Sequence, residues 1–322
     1  MRIACAKMLS ILLLALAATG PAAAQAWPAK PIRWIVPFAP GGANDVTARS
    51  VAERLVQTLG QPVVVENRAG AAGTIGTELV AKSPADGYML VSISDTITAA
   101  PHLYPKLGFH PIRDFAPVTQ LARLPVVLAA HPSLGVSSLA ELVTFAKKNP
   151  GLGYATAGAG SQQHIAAEWF AKLAGIRLTH VPYKGGAQAV TDLLGGQVQL
   201  AALGATPLIP HHRSGRLKLL AQTTDARSSL LAEVPTCQEE GFQALSIEQW
   251  QGVFFPAGTP KDIVARLGAD ILKALAEPRV RERFAQSGLE IVGNTPEQFA
   301  AVVQRDYEKY GRLVRELKIS ID

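Results

Sequence analysis

The stretch Pro37-Phe38-Ala39-Pro40-Gly41-Gly42-Ala43-Asn44-Asp45 follows an apolar run, Ile32-Arg33-Trp34-Ile35-Val36, and leads into Val46-Thr47-Ala48-Arg49-Ser50-Val51-Ala52-Glu53-Arg54-Leu55. Strand, glycine turn and helix start, in that order, can hold an anion on bare backbone amides at the head of the helix. No Lys or Arg directly follows the glycines and no third glycine stands at dinucleotide spacing, so a nucleotide fits poorly. Pro37 and Pro40 stiffen the loop and donate nothing, which leaves Gly41, Gly42, Ala43 and Asn44 as its amide donors. Asp45 is awkward beside a bound anion. It reads either as the N-cap of the helix or as a group that orders water or meets an amine or hydroxyl on a ligand.

A second loop repeats the design at Tyr154-Ala155-Thr156-Ala157-Gly158-Ala159-Gly160-Ser161-Gln162-Gln163-His164. His164, three residues after Ser161, either donates to a ligand or packs at the helix start. Both loops lie at the carboxyl end of a strand, where open α/β sheets bind ligands. One loop from each of two lobes would face the other across a cleft and hold a small anion without a fixed positive charge. Neutral donors of this kind suit a carboxylate that must be captured and then released. Taken singly, either loop is equally an ordinary strand–helix connection.

Strand-like runs at Ile32–Val36, Val63–Glu66, Met89–Ile93 and Val126–Ala130 alternate with helical patterns at Asp45–Leu59, Thr74–Lys82 and Ser138–Lys148. A second series has strands near Gly153–Thr156, Leu178–Pro182, Gln199–Leu203 and Leu217–Gln222, with helices at Gln162–Ala174 and Gly186–Leu194. The alternation predicts an α/β fold with mainly parallel sheets in two similar lobes. Lys261–Ala276, Pro278–Ser287 and Pro296–Leu317 read as a helical tail packed back across the first lobe. That divides the chain into residues 27–124 plus 225–322 for lobe 1 and 125–224 for lobe 2.

Residues 1–26 read as a cleavable signal peptide. Arg2 and Lys7 precede the apolar run Met8–Ala18, and Ala24-Gln25-Ala26 offers a small-x-small cleavage site. The run is short for a span of about 20 residues, and no cysteine marks a lipoprotein junction. Beyond the signal only Cys237 remains, so an internal disulfide is excluded. Removing Arg2 and Lys7 takes the net charge from +6 to +4. The surplus is scattered rather than interleaved with aromatics, which argues against nucleic-acid binding.

Enzyme readings fail in turn. Ala159 and Gln163 occupy the glycine positions of a hydrolase elbow around Ser161. Ser161 and His164 on one segment are no triad, and Gln163 replaces the third glycine of a dinucleotide fingerprint. His211-His212 has no Asp or Glu at helical ligand spacing, so no metal is expected. Val181-Pro182-Tyr183-Lys184-Gly185-Gly186 is a further strand-to-helix turn in which Tyr183 would wall a cleft and Lys184 add charge, or simply an exposed turn.

These segments, in order, resemble the substrate receptors of tripartite tricarboxylate transporters, the Bug proteins. The resemblance runs through PFAPGGAND, Val65-Glu66-Asn67-Arg68-Ala69-Gly70, Ala85-Asp86-Gly87-Tyr88, Asp114-Phe115-Ala116-Pro117-Val118, Tyr154 to His164, and His180-Val181-Pro182-Tyr183-Lys184-Gly185. It continues through Asp192-Leu193-Leu194-Gly195-Gly196-Gln197, Val234-Pro235-Thr236 and Pro256-Ala257-Gly258-Thr259-Pro260. It implies a periplasmic binding protein of the two-lobed, hinged flytrap type (type II) that binds a small carboxylate without catalysis or cofactor. Integral-membrane permease subunits would be its partners; separately, no long apolar stripe is left over in the sequence for an obligate interface, so a monomer is expected. An exported enzyme or a sensor-linked receptor using the same cleft are the alternatives.

Carried over by position, the resemblance implies contacts from Phe38, Gly41, Gly42 and Asp45 in the first loop. The second loop would add Thr156, Ala157, Gly158, Ser161 and His164, with Ser94 and Tyr183 as further candidates. Where many relatives carry an acidic or polar pair, this chain has Leu200-Ala201-Ala202-Leu203-Gly204-Ala205-Thr206-Pro207. If that segment, with Gly204, lines the distal pocket, it predicts a ligand less polar at its far end than citrate, an aromatic or short aliphatic monocarboxylate.

Overall fold

β1 (Ile32–Val36) is buried along almost its whole length, as befits a strand covered on both faces of a parallel sheet. The chain turns at Pro40 and Gly41 into α1 (Ala43–Leu59), whose Ala48, Val51, Ala52, Leu55 and Leu59 form one buried stripe against the sheet. β2 (Val63–Asn67) and β3 (Met89–Ser94) flank β1 in parallel, with α2 (Thr74–Ala81) between them. α3 (Thr96–Leu103) leaves the end of β3 and leads to β4 (Phe115–Ala130). The computed structural model describes residues 27–321, apart from positions 39, 71, 72 and 184. The signal peptide read over residues 1–26 and the charge expected of Lys184 lie outside the described residues.

The second series runs α4 (Leu139–Lys148), β5 (Leu152–Thr156), α5 (Gln162–Ala174), β6 (Leu178–Pro182), α6 (Gly186–Leu194), β7 (Leu200–Gly204), α7 (Ile209–Arg213) and β8 (Lys218–Gln222). β9 (Glu248–Pro256), α8 (Lys261–Ala276), α9 (Pro278–Gln286), β10 (Glu290–Ile291) and α10 (Pro296–Leu317) complete the chain. The main strand order is β2-β1-β3-β9-β4-β7-β5-β6. Two parallel wings, β2-β1-β3 and β6-β5-β7, are therefore joined by the antiparallel strands β9 and β4.

β4 makes the join. Phe115–Pro125 pair with β9, and from Val126 the same strand pairs with β7 and β8. The chain returns beside that change of partner, where Thr223 Oγ1 donates to the carbonyls of Val126 and Ile247. The centre of the sheet is thus antiparallel, against the expectation of mainly parallel sheets. β9 and the first two-thirds of β4 were not read as strands, because Pro117, Pro125 and Gly252 break the apolar runs in the sequence.

α10 covers both wings. Its Phe299 and Val303 pack with Trp250 and Phe254 of β9, while Tyr310, Leu313 and Val314 join the core around Ile165 and Phe170 of α5. The helical tail thus packs against both halves of the sheet. Cys237 is a free thiol, fully buried. No helix of the described residues is long and apolar enough to cross a membrane.

Candidate functional site

The carboxyl ends of β1, β3, β5 and β6 open onto one cavity of about 560 Å³. Phe38 follows β1, Ser94 ends β3, Ala157 to Gln163 follow β5, and Gly185 follows β6. Four helices begin at its wall: Thr74 opens α2, Thr96 opens α3, Gln162 opens α5, and Gly185 precedes α6. Each helix start presents the positive end of a peptide dipole. Among the described lining residues there is no Asp, Glu, Lys, Arg or His. Backbone and neutral side chains therefore supply the polar character of the cavity.

Ser94, Ala157, Gly158, Ser161 and Phe38 line the cavity, five of the residues expected there. Ser94 Oγ and Thr96 Oγ1 share a hydrogen bond of 2.8 Å at the head of α3. Ser161 caps α5, its Oγ accepting from the His164 N–H and donating to the Gly158 carbonyl at 2.7 Å. Gly160 needs its lack of a side chain. At φ +73° any other residue would be strained, and a Cβ would also stand 2.8 Å from Ile321 Cγ2 and 2.9 Å from Leu103 Cδ1, so that side chains would have to shift where α3 meets this loop.

Thr156 and His164 stand behind the second loop rather than in its wall. Gly160 N–H donates to His164 Nδ1 at 3.1 Å, which fixes the neutral ring with its proton on Nε2. The ring stacks on His180 at 3.8 Å, and His180 Nε2 lies 2.7 Å from Thr156 Oγ1, which also receives the Gly158 N–H. Burial, then the neighbouring His180, pushes the His164 pKa down to about 4; burial does the same to His180. Tyr183 is turned aside, donating its hydroxyl to Asp192 at 2.9 Å.

Gly41, Gly42 and Asp45 lie outside the lining of the cavity. Gly42, not Asp45, is the N-cap of α1, and Asp45 is its third residue. The Asp45 carboxylate reaches back to the Gly41 N–H at 2.9 Å and is held by Asn67 Nδ2 at 2.9 Å and Arg49 Nε at 3.0 Å. Burial opposes its charge, but the bonds from Arg49, Gly41 and Asn67 outweigh burial and hold its pKa below the usual carboxylate range. The Gly41 amide is thus committed within the loop. Gly204 ends β7 opposite Val126 and is not part of the wall either.

What the sequence reading missed is α3. Ile97, Ala100 and Leu103 on this helix, with Tyr104 and Phe109 beyond it and Ile93 before it, give the cavity its apolar side. The Ser94-Asp95-Thr96 run after a strand was a fair helix-start signal, but Pro101 inside the segment reads as a breaker. Gln162, Gln163 and Gln249 were also missed, and only their places beside a strand end or helix start could have drawn attention. His211 and His212 bond to Arg216 and to the Leu217 carbonyl, and no cluster of metal-ligating side chains occurs among the described residues.

Comparisons with known proteins agree on one family. The sequence profile described as "Tripartite tricarboxylate transporter family receptor" matches residues 47–319. Protein BugT of Bordetella pertussis is 38% identical over 316 residues, 96% of this chain and 97% of its own. A solved structure described as a periplasmic transporter is 37% identical with a TM-score of 0.82, covering 92% of this chain and 100% of that one. An R. palustris protein solved with adipate is 33% identical with a TM-score of 0.81, covering 91% of this chain and 99% of that one.

Proposed function

The chain belongs to the tripartite tricarboxylate transporter receptor family, a family of periplasmic solute-binding receptors, and from that premise we propose that it captures a small organic carboxylate in this cavity and hands it to membrane permease subunits. The observation that carries the reading is the convergence of four helix starts on a cavity whose described lining holds no charged side chain. Amides and dipole ends favour an anion there, yet leave it releasable. The adipate held by the R. palustris relative is the same class of ligand.

Residues 1–26 would direct export and be removed. Lobe 1 would comprise 27–124 with 225–322 and lobe 2 would comprise 125–224. The change of β4 from β9 to β7 at Pro125–Val126 supports a hinge there. Ligand would draw the lobes together by its higher affinity for the closed form. The protein would bind without catalysing: Ser161 Oγ is engaged by Gly158 and His164 Nδ1 by Gly160, so the two do not pair as nucleophile and base.

The test is thermal unfolding of protein stripped of ligand by unfolding and refolding, against mono-, di- and tricarboxylates and amino acids. A ligand at 100 times its Kd adds about 2.7 kcal/mol, which moves Tm by several degrees in a chain of this size. A folded protein that responds to no carboxylate would defeat the proposal.

A further inference from the structure

The cavity has two unlike sides, and their chemistry narrows the ligand, provided the reading of the cavity as a carboxylate site holds. On one side stands the head of α5. Gln162, its first residue, is 1% exposed, and its side-chain amide nitrogen has no hydrogen-bond partner among the described residues. Buried donors are nearly always paired, and one left unmade is costly. Gln162 is also one of the residues that line the cavity, so an acceptor on a bound ligand would give this amide a partner. The backbone N–H groups of Gln162 and Gln163 belong to the first turn of the helix and have no intrahelical acceptor. Ser161 adds nothing further, because its hydroxyl is engaged by Gly158 and His164.

The other side is mostly hydrocarbon, with the hydroxyls of Ser94 and Thr96 confined to the head of α3 and already bonded to each other. Ile97, Ala100 and Leu103 recur at helical spacing along α3, and Phe38, Tyr104 and Phe109 complete the surface. No described lining residue carries a charge. A carboxylate pressed against this wall would lose its hydration and gain no counter-charge. A hydrocarbon chain or an aryl ring would lose only its contact with water. About 560 Å³ lies within the range of small-molecule sites.

We propose that the cavity selects an apolar monocarboxylate, its one carboxylate received by the Gln162 side chain and the first amides of α5, and its alkyl or aryl body lodged against α3, Phe38 and Phe109. Gln162 is then a ligand-binding residue. The adipate-bound relative makes the claim sharp, because adipate is hexanoate with its terminal methyl replaced by a second carboxylate.

The experiment is titration calorimetry of the full refolded, ligand-free protein with hexanoate, adipate, benzoate and citrate, for wild type, Gln162→Leu and Gln162→Glu. Hexanoate or benzoate should bind at least tenfold more tightly than adipate and citrate. Gln162→Leu should weaken the preferred acid about tenfold or more while the empty protein melts at the same temperature or higher, since an unpaired buried amide has been removed. Gln162→Glu should abolish binding. Adipate or citrate binding as tightly as hexanoate would overturn the ligand class while leaving a carboxylate receptor. Binding of no carboxylate at all would overturn the underlying reading as well. Unchanged affinity in Gln162→Leu, or a loss of affinity with an equal loss of stability, would overturn the role given to Gln162.

Discussion

Replacing Asp95 with Asn should change how the stability of the protein depends on pH. Asp95 joins β3 to α3 and is completely buried. Its Oδ2 accepts from the Tyr310 hydroxyl at 3.2 Å, and its Oδ1 has no partner among the described residues. Asp306 of α10 is close enough to repel a second charge and is itself held by Trp250 Nε1 at 2.8 Å, Arg305 and Lys309. Burial first, and the charge of Asp306 second, raise the Asp95 pKa well above the ordinary carboxyl value, against the weaker pull of Tyr310 and Lys309.

The folded state therefore keeps a proton that the unfolded chain releases above pH about 3.9. The stability this proton confers is complete below that pH and is lost as pH rises toward the raised value, at up to about 1.4 kcal/mol per pH unit. Asn has the same shape and no charge at any pH, so Asp95→Asn should remove that slope. Buried amide hydrogens without partners should cost the variant on the order of 1 kcal/mol where Asp95 is protonated in both states. The variant should thus start level with or slightly below wild type near pH 4 and gain on it with each unit upward. Urea unfolding followed by tryptophan fluorescence at pH 4, 5, 6, 7 and 8 measures the difference, and Trp250 lies beside the site. A stability difference that is flat across this range, or that turns against the variant as pH rises, would refute the reasoning.

Gly252→Ala should destabilise the protein by about 1–3 kcal/mol, read as a lower urea midpoint, because a Cβ there would lie 2.0 Å from Phe299 Cζ in a packed core. His164, with its pKa near 4, holds a neutral ring that the unfolded chain would protonate from about pH 6.5 downward. Stability should therefore fall as pH drops from 6.5 toward 4, by up to about 1.4 kcal/mol per unit from this ring, and His164→Gln should unfold with a shallower acid slope. An unaltered slope would mean that the folded protein does not keep the His164 ring neutral.

What could be read from the sequence divides along the range of the interactions involved. The second glycine loop was legible because its form is set within a few residues: Ser161 caps the helix it begins, and Gly158 and Gly160 supply backbone freedom on the spot. Ala157, Gly158 and Ser161 accordingly fall in the wall of the cavity. The first loop has the same local signature, yet Gly41 and Gly42 lie elsewhere. Its fate is decided by Asn67 at the end of β2, which fixes Asp45 and through it the Gly41 amide. A carboxylate reaching back from the third helical residue looks, in sequence, the same as one left free to meet a ligand.

The apolar side of the site shows the same division from the other direction. Low polarity at the far end of the ligand was inferred at Leu200–Pro207, but Leu200–Gly204 form β7, paired along β4 inside the sheet. Their hydrophobicity is what a buried strand requires and carries no information about a ligand. The hydrocarbon surface comes instead from α3, where Pro101 hides the helix and only Ile97, Ala100 and Leu103 betray its period. Those residues can serve as a wall because β3 ends beside the second loop and Gly160 leaves room for Leu103. That closeness is a property of the sheet order, in which β9 and β4 set the two parallel wings side by side, and neither of these strands has a sequence pattern from which the juxtaposition could be drawn. Selectivity in such a receptor can therefore change through α3 while both glycine loops stay constant, and substitutions at Ile97 or Leu103 should alter which acid is bound before they alter whether one is.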